Sequence, residues 1–275
     1  MPRLLTAIVG TPLVLAAVFG LRGWWFFLFM VLVIDWAAFE YLAIVRSRAP
    51  RAPLWLLLIL APVAAYTLSH ALLGGTALLD LRLHLLGGAA LLSVGLGTLL
   101  LFLRVPLDET LPALGVLAFG IPYFALPLAS THLLKEMDSW LLFLLLAIVW
   151  LGDSAAYYVG SRLGRHKLAP VVSPKKSWEG AAACLVTALL ATVVWSAWRL
   201  DGLDWGLFAV AAVTSVVAQV GDLVESMIKR GAGVKDSGHV LPGHGGLLDR
   251  LDALLFAAPV FLIGLWALEL EAVPR

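Results

Sequence analysis

The stretch WWFFLFMVLVIDWAAFEYLAIV, Trp24–Val45, carries only two charges, Asp35 and Glu40, in a run otherwise dominated by aliphatic and aromatic side chains. About 20 such residues, rising about 1.5 Å each as a helix, cross the hydrocarbon core of a bilayer. Similar runs recur on both sides of it: Leu4 to Leu21, Leu54 to Leu73, Leu83 to Leu103, Leu111 to Ala129, Trp140 to Val159, Gly180 to Trp198, Gly206 to Ile228 and Leu251 to Leu270. The fold predicted is therefore all-α, a polytopic integral membrane protein with about nine transmembrane helices. Composition agrees, since 61% of the 275 residues are hydrophobic and 13% charged, against about 25% charged in soluble domains. So few charges exclude a water-facing globule, a disordered chain and a basic nucleic-acid binder. Cys184 is the only cysteine, which excludes an intrachain disulfide and a cysteine-based zinc site. The first run follows Arg3 and contains small residues, as a signal peptide does, but its length and the span directly behind it predict that it is retained.

The basic residues orient the chain. Arg3, Arg46, Arg48, Arg51, Arg104, Arg162, Arg165, Lys167, Lys175, Lys176, Lys229, Arg230, Lys235 and Arg250 fall on one side of the spans, and Arg22, Arg82, Lys135, Arg199 and Arg275 on the other. Cytoplasmic loops carry the excess of Lys and Arg. The expected N-terminus is thus cytoplasmic, and the two longest polar loops, Ser161 to Glu179 and Lys229 to Arg250, share the cytoplasmic face. Arg46 to Pro53 reads as a turn with topological anchors. No internal repeat, linker or extramembrane domain is visible, so residues 1–275 read as a single membrane domain, with helices 1–140 leading into a catalytic part 141–275. Paired halves are common in secondary transporters, and their absence here argues against transport.

Ionisable side chains inside a span are costly unless they face a partner or a wet cavity. In the eighth span Ser215, Gln219, Asp222, Ser226 and Lys229 recur at i, i+4, i+7, i+11 and i+14, one face of a helix that should look into the bundle. It runs into KRGAGVKDSGHVLPGHGGLLDRLD, residues 229–252, where repeated glycine and Pro242 preclude a continuous helix and allow backbone to approach a ligand. Lys229, Arg230 and Lys235 offer cationic donors for phosphate oxygens. Asp249 and Asp252 open the ninth span one turn apart; Asp249 by itself would suit a helix cap. With Asp222 on the preceding span it suits a hard cation that bridges phosphates, because magnesium takes one or two protein carboxylates plus water and phosphate oxygens. Asp35, near the middle of the second span, should find a partner or a cavity, for instance at a subunit contact.

The other polar loop, GSRLGRHKLAPVVSPKKSWEG over 160–180, follows Asp153 and Tyr157, one turn apart on the sixth span. Ser173, Lys175, Lys176 and Ser177 lead into a helix start where hydroxyls and free amides can hold an anion, with Glu179 in the first turn. His244, between two glycines, suits either donation to a phosphate or fixing of the loop. His70, His84, His132 and His166 read as interfacial or structural.

At these residues the chain resembles the phosphatidate cytidylyltransferases, the CDP-diacylglycerol synthases. The pattern comprises Ser226, Lys229 and Arg230, Lys235 and Asp236, His244 with Gly245 and Gly246, then Asp249, Arg250 and Asp252, preceded by Asp153, Ala156 and Tyr157, by Ser173 to Gly180, and by Gly221 and Asp222. Ser177 stands where the family commonly has threonine, and the hydroxyl is kept. The resemblance covers the chain from about Trp150 to the C-terminus. It implies an enzyme that makes CDP-diacylglycerol and pyrophosphate from CTP and phosphatidic acid in phospholipid biosynthesis. A homodimer in the cell membrane, in contact with its lipids and with the site facing the cytoplasm, is also implied. Asp222 and Asp249 are expected to hold Mg2+, a second cation such as K+ being left open; Asp222, Asp249, Lys229 and Arg230 are the expected catalytic set. Asp153, Ser173, Lys175, Lys176, Ser177, Ser226, Lys235, His244 and Arg250 are the expected substrate ligands. A phosphomonoester with a second pKa near 6 is already ionised at neutral pH, so the chemistry needs cations and oriented donors more than a strong base.

Overall fold

The computed structural model describes residues 2–73, 94–200, 202–238 and 245–268, and over 2–9 only the helical backbone. Helices α1 (Pro2–Gly20) and α2 (Trp24–Val45) come first, followed by short 3-10 turns at Arg46–Arg48 and Leu54–Leu56 and by α3 (Leu57–Leu73). Residues 94–102 form α4, and then come α5 (Leu107–Met137), α6 (Ser139–Leu163), strands β1 (Lys167–Ala169) and β2 (Ser173–Ser177), α7 (Trp178–Arg199), α8 (Trp205–Gly231) and α9 (Leu248–Ala267). Seven helices among the described residues are long and apolar enough to cross a membrane. The expected α2 is reproduced residue for residue. The first half of the expected fourth span lies outside the described residues.

Two expectations need correction. The chain is not purely helical: β1 and β2 pair antiparallel, with Lys167 opposite Ser177. The Ser161–Glu179 segment is therefore the last turn of α6, a hairpin and the start of α7, because SPKKS pairs its backbone with the Lys167–Ala169 strand instead of leaving it to solvent. The fifth span is also longer than expected. It runs unbroken through Pro112, Pro122 and Pro127, which membrane helices tolerate when neighbours and local adjustments satisfy the freed carbonyls.

Capping fixes where the helices stop. Asp138 caps α6 by accepting from Trp140 N at 2.8 Å and ion-pairs with Arg199 at 3.0 Å, clamping the start of α6 to the end of α7. Asp204 caps α8 through Leu207 N at 3.0 Å. At the opposite end, Glu109 in the first turn of α5 accepts from Arg51 N at 2.7 Å, and Arg48 Nη2 donates to Gly231 O at 2.7 Å. The Arg46–Pro53 turn is thereby pinned to both α5 and α8. Because α6, α7, α8 and α9 run alternately, the β hairpin and the α8–α9 loop emerge at this same end.

Tyr41 of α2, Tyr123 and Phe124 of α5 and Phe256 of α9 form an aromatic layer with ring centroids 4.8–6.2 Å apart. It lies beneath the end where the polar residues collect. Above it α8 and α9 meet closely: a Cβ on Gly221 would stand 2.8 Å from Asp252 O and 2.9 Å from Phe256 Cβ. Gly221→Val should therefore force the two helices apart and cost about 1–3 kcal/mol, read as a lower unfolding midpoint of the protein in detergent.

Candidate functional site

The polar stripe of α8 faces its neighbours, as its spacing predicts. Ser215 Oγ sits 3.4 Å from Cys184 Sγ of α7, and Gln219 Nε2 donates to Ser215 O at 3.3 Å. One turn further on, Lys176 of β2 places its Nζ 2.7 Å from Asp222 Oδ2, while Ser226 Oγ lies 3.4 Å from Asp222 Oδ1. The hairpin and the eighth helix, separate in sequence, thus meet through a lysine and a carboxylate.

Lys229 closes the stripe. Its ammonium is buried between Glu225, one helical turn back, and Asp249 Oδ1, 2.6 Å away on α9. Asp249 also accepts from Ser237 N at 3.1 Å and from Gly246 N at 2.9 Å, both through Oδ2. Its carboxylate therefore gathers the loop from the first turn of α9, and among the described residues it makes no capping hydrogen bond to an amide of that helix. Gly245, at φ 78°, and Gly246 carry the chain over this carboxylate; a Cβ on Gly246 would collide with Ser237 Oγ and Glu40 Oε2.

A second group of acids lies alongside. Asp252, one turn beyond Asp249, is within electrostatic reach of Asp222, Glu225 and Asp153, and Asp153 in turn of Lys176 and Arg250. Asp153 is exposed to this opening from α6. Tyr123 is 7% exposed, its hydroxyl has no partner among the described residues, and it lies within the field of Glu225, Asp252 and Asp222. Five carboxylates thus gather where α6, α8 and α9 meet, with Lys176 and Lys229 among them.

The expected residues separate into three groups. Asp222, Asp249, Lys229, Lys176, Ser226, Asp153 and Arg250 converge. Arg230, Lys235, Lys175 and Ser173 lie at the edge: the first three are exposed, and Arg230 Nη1 donates to Val234 O at 3.2 Å. Ser177 is buried, and its hydroxyl accepts from Gly180 N at 3.2 Å as the α7 cap, so it shapes the hairpin exit while keeping its own O–H to donate. Glu179 accepts from His166 N at 3.2 Å and sits 2.8 Å from His166 Nδ1, tying the hairpin to the helix it precedes. His244 lies outside the described residues.

Sequence reasoning passed over Glu225, although it is 1% exposed. A Glu four residues before a Lys on a membrane helix was the available signal. Ser237 carried none, because its contacts depend on where the loop folds back.

Among the described residues no three His, Cys, Asp or Glu side chains converge closely enough to hold a metal by themselves. That geometry suits a cation completed by phosphate oxygens and water better than a closed protein cage. Asp222 Oδ1 has a long contact to Ser226 Oγ at 3.4 Å, whereas both Asp249 oxygens accept from Lys229 or from backbone amides.

The Cytidylyltransferase family model matches residues 1–268. A Staphylococcus haemolyticus protein named phosphatidate cytidylyltransferase is 46% identical over 117 residues, 42% of this chain and 45% of that one. One of the same name from Haemophilus influenzae is 45% identical over 128 residues, 44% of each chain. These matches span about half the length of the relatives or less. A Pseudomonas aeruginosa protein, also so named, is 36% identical over 275 residues, 96% of each chain.

Lys229 compensates two acids at once. Lys229→Met should therefore destabilise the protein by about 3–5 kcal/mol by leaving buried carboxylates unpaired; adding Glu225→Gln should recover part of that loss, as measured by thermal unfolding of single and double variants.

Proposed function

This chain belongs to the cytidylyltransferase family, and from that premise we propose that it transfers the cytidylyl group of CTP to phosphatidic acid, giving CDP-diacylglycerol and pyrophosphate. The observation that carries the reading is the 2.7 Å contact between Lys176 of the hairpin and Asp222 of α8. It joins the basic hairpin to the polar face of α8 beside a set of carboxylates, an arrangement suited to holding several phosphate groups next to a cation. The full-length likeness to the Pseudomonas aeruginosa protein supports the same substrates.

In the proposed reaction the lipid phosphate attacks the α-phosphorus of CTP in line, and the α–β bridging oxygen leaves with pyrophosphate. The nucleophile is already ionised, so the protein's task is to bring anions together and hold them in line. Lys176, Lys229 and Arg250 stand beside the carboxylates and would exchange these for phosphate oxygens. Lys175, Arg230 and Lys235, at the exposed rim, would attract the triphosphate and the lipid headgroup. Asp153, Ser173, Ser226 and His244 complete the proposed substrate contacts, and Ser177 acts by holding the hairpin exit.

Magnesium, when bound, would neutralise charge shared between phosphate oxygens. Asp222 would be one ligand, exchanging the Lys176 ammonium for the metal, and Asp249 would join it by exchanging that of Lys229. A second cation such as K+ would find further carboxylate oxygens at Asp252 and Asp153. The crowding of basic residues at this end supports a cytoplasmic opening in the cell membrane. A homodimer is the proposed assembly.

Purified protein given α-labelled CTP, phosphatidic acid and magnesium should release pyrophosphate and place the label in lipid; absence of labelled lipid would overturn the assignment. Asp222→Asn and Asp249→Asn should each lower kcat/KM by about 100-fold or more, the scale seen when electrostatic stabilisation of a transition state is removed. Full activity in either would remove that residue from the metal site. Transfer of γ-label instead would indicate a CTP-dependent lipid kinase.

A further inference from the structure

Glu40 is charged, 4% exposed and part of an apolar helix far from the site in sequence, yet its carboxylate is fully engaged. Oε2 accepts from Ser237 Oγ at 3.0 Å and from Leu248 N at 2.8 Å; Oε1 accepts from Leu247 N at 3.0 Å. Leu247 and Leu248 are the entry to α9, whose N-terminus has no capping side chain of its own. A carboxylate there satisfies amides that the helix leaves unpaired and sits at the positive end of its dipole. Glu40 is thus a helix cap supplied by another helix.

The same carboxylate defines the path of the loop. A Cβ on Gly238 would stand 2.8 Å from Glu40 Oε1, and Gly246 packs against both Glu40 and Ser237. Ser237 is held twice: its hydroxyl by Glu40 and its amide by Asp249. Eight residues along the chain from Glu40, Arg48 donates to Gly231 O, where the loop begins. One segment of the N-terminal half therefore grips both ends of the loop that carries the basic residues.

We propose that Glu40 is a positioning residue for nucleotidyl transfer: by capping α9 and anchoring Ser237 it sets the placement of Asp249, and through Asp249 that of Lys229. It touches neither substrate nor metal; it acts by fixing the groups that do. Glu40→Gln keeps the volume but offers one acceptor oxygen and sets an amide NH2 against backbone donors. Glu40→Asp keeps the charge and shortens the reach.

This inference rests on the proposed cytidylyl transfer, and the experiment separates the two. Full-length wild type, Glu40→Gln, Glu40→Asp and Ser237→Ala are compared in lipid nanodiscs for kcat, KM for CTP and unfolding midpoint. Hydrogen exchange is followed over the peptide containing Gly246 to Arg250. Glu40→Gln should lose about 10- to 100-fold in kcat, as removal of an outer-shell partner does, with KM for CTP changing less than kcat and with faster exchange at Leu247 and Leu248. Glu40→Asp should regain part of the rate and part of the protection. A wild-type protein that labels no lipid defeats the transferase reading, while the exchange comparison still reports on the cap. An active wild type with Glu40→Gln equally active and equally protected defeats the positioning role. If Glu40→Gln does not fold, Ser237→Ala decides: a lowered kcat with faster exchange supports the role, and a wild-type rate and exchange overturn it.

Discussion

The buried ammonium of Lys229, held between Glu225 and Asp249, is the constraint on which the rest of the site depends. A charge removed from water survives only when it is paired and hydrogen-bonded. Lys229 therefore fixes the end of α8 against the start of α9, and Asp249 passes that constraint to the loop through the amides of Ser237 and Gly246. Glycine at 245 and 246 follows from it, because any larger residue would collide with a carboxylate already committed elsewhere.

Around that centre the helices have different tasks. Helices α6 and α7 carry Asp153 and the hairpin, and the hairpin brings Lys176 to Asp222. Helix α5 supplies Tyr123 and much of the aromatic layer under the carboxylates. Helix α2 would be an ordinary lipid-facing span on one side, with Leu32, Trp36 and Phe39 exposed, but its other face bears Glu40. In a membrane, where apolar helices gain little by choosing one another over lipid, such polar contacts and close backbone approaches decide which helices meet.

How far the sequence could be read depended on the distance over which each feature is determined. Helix α2 was legible to the residue because hydrophobicity and length act locally, and the face of α8 was legible because 3.6-residue periodicity does too. SPKKS looked like a loop since its pairing partner, Lys167–Ala169, is too short and too polar to announce a strand. The expected fifth span already ran through its three prolines; the ends of α5, residues 107–110 and 130–137, were missed because their polar and charged side chains lie outside the apolar run. Asp249 was recognised as both a possible cap and a site residue; it holds the loop and Lys229, while the entry amides of α9 are taken by Glu40. What the sequence withheld were contacts across the chain: Glu40 reaches Leu248 over 208 positions and Arg48 reaches Gly231 over 183. No local pattern encodes them, and they exist only once α2 and α9 lie side by side.

The charge balance of the site has its own consequence for how substrates enter. Lys176 and Lys229 are both paired with carboxylates, so neither ammonium is uncommitted before a phosphate arrives. On the proposed reading, each phosphate group that binds must draw a lysine away from an acid, and each acid so released gains room for a hard cation. Anion and cation binding are then linked by mutual exchange: phosphate favours metal by freeing carboxylates, and metal favours phosphate by freeing ammonium groups. Such an exchange leaves neither lysine unpaired at any stage, which a site built of uncommitted lysines at the edge of a bilayer could not do. It also accounts for why five carboxylates can share a site whose ligands are themselves anions.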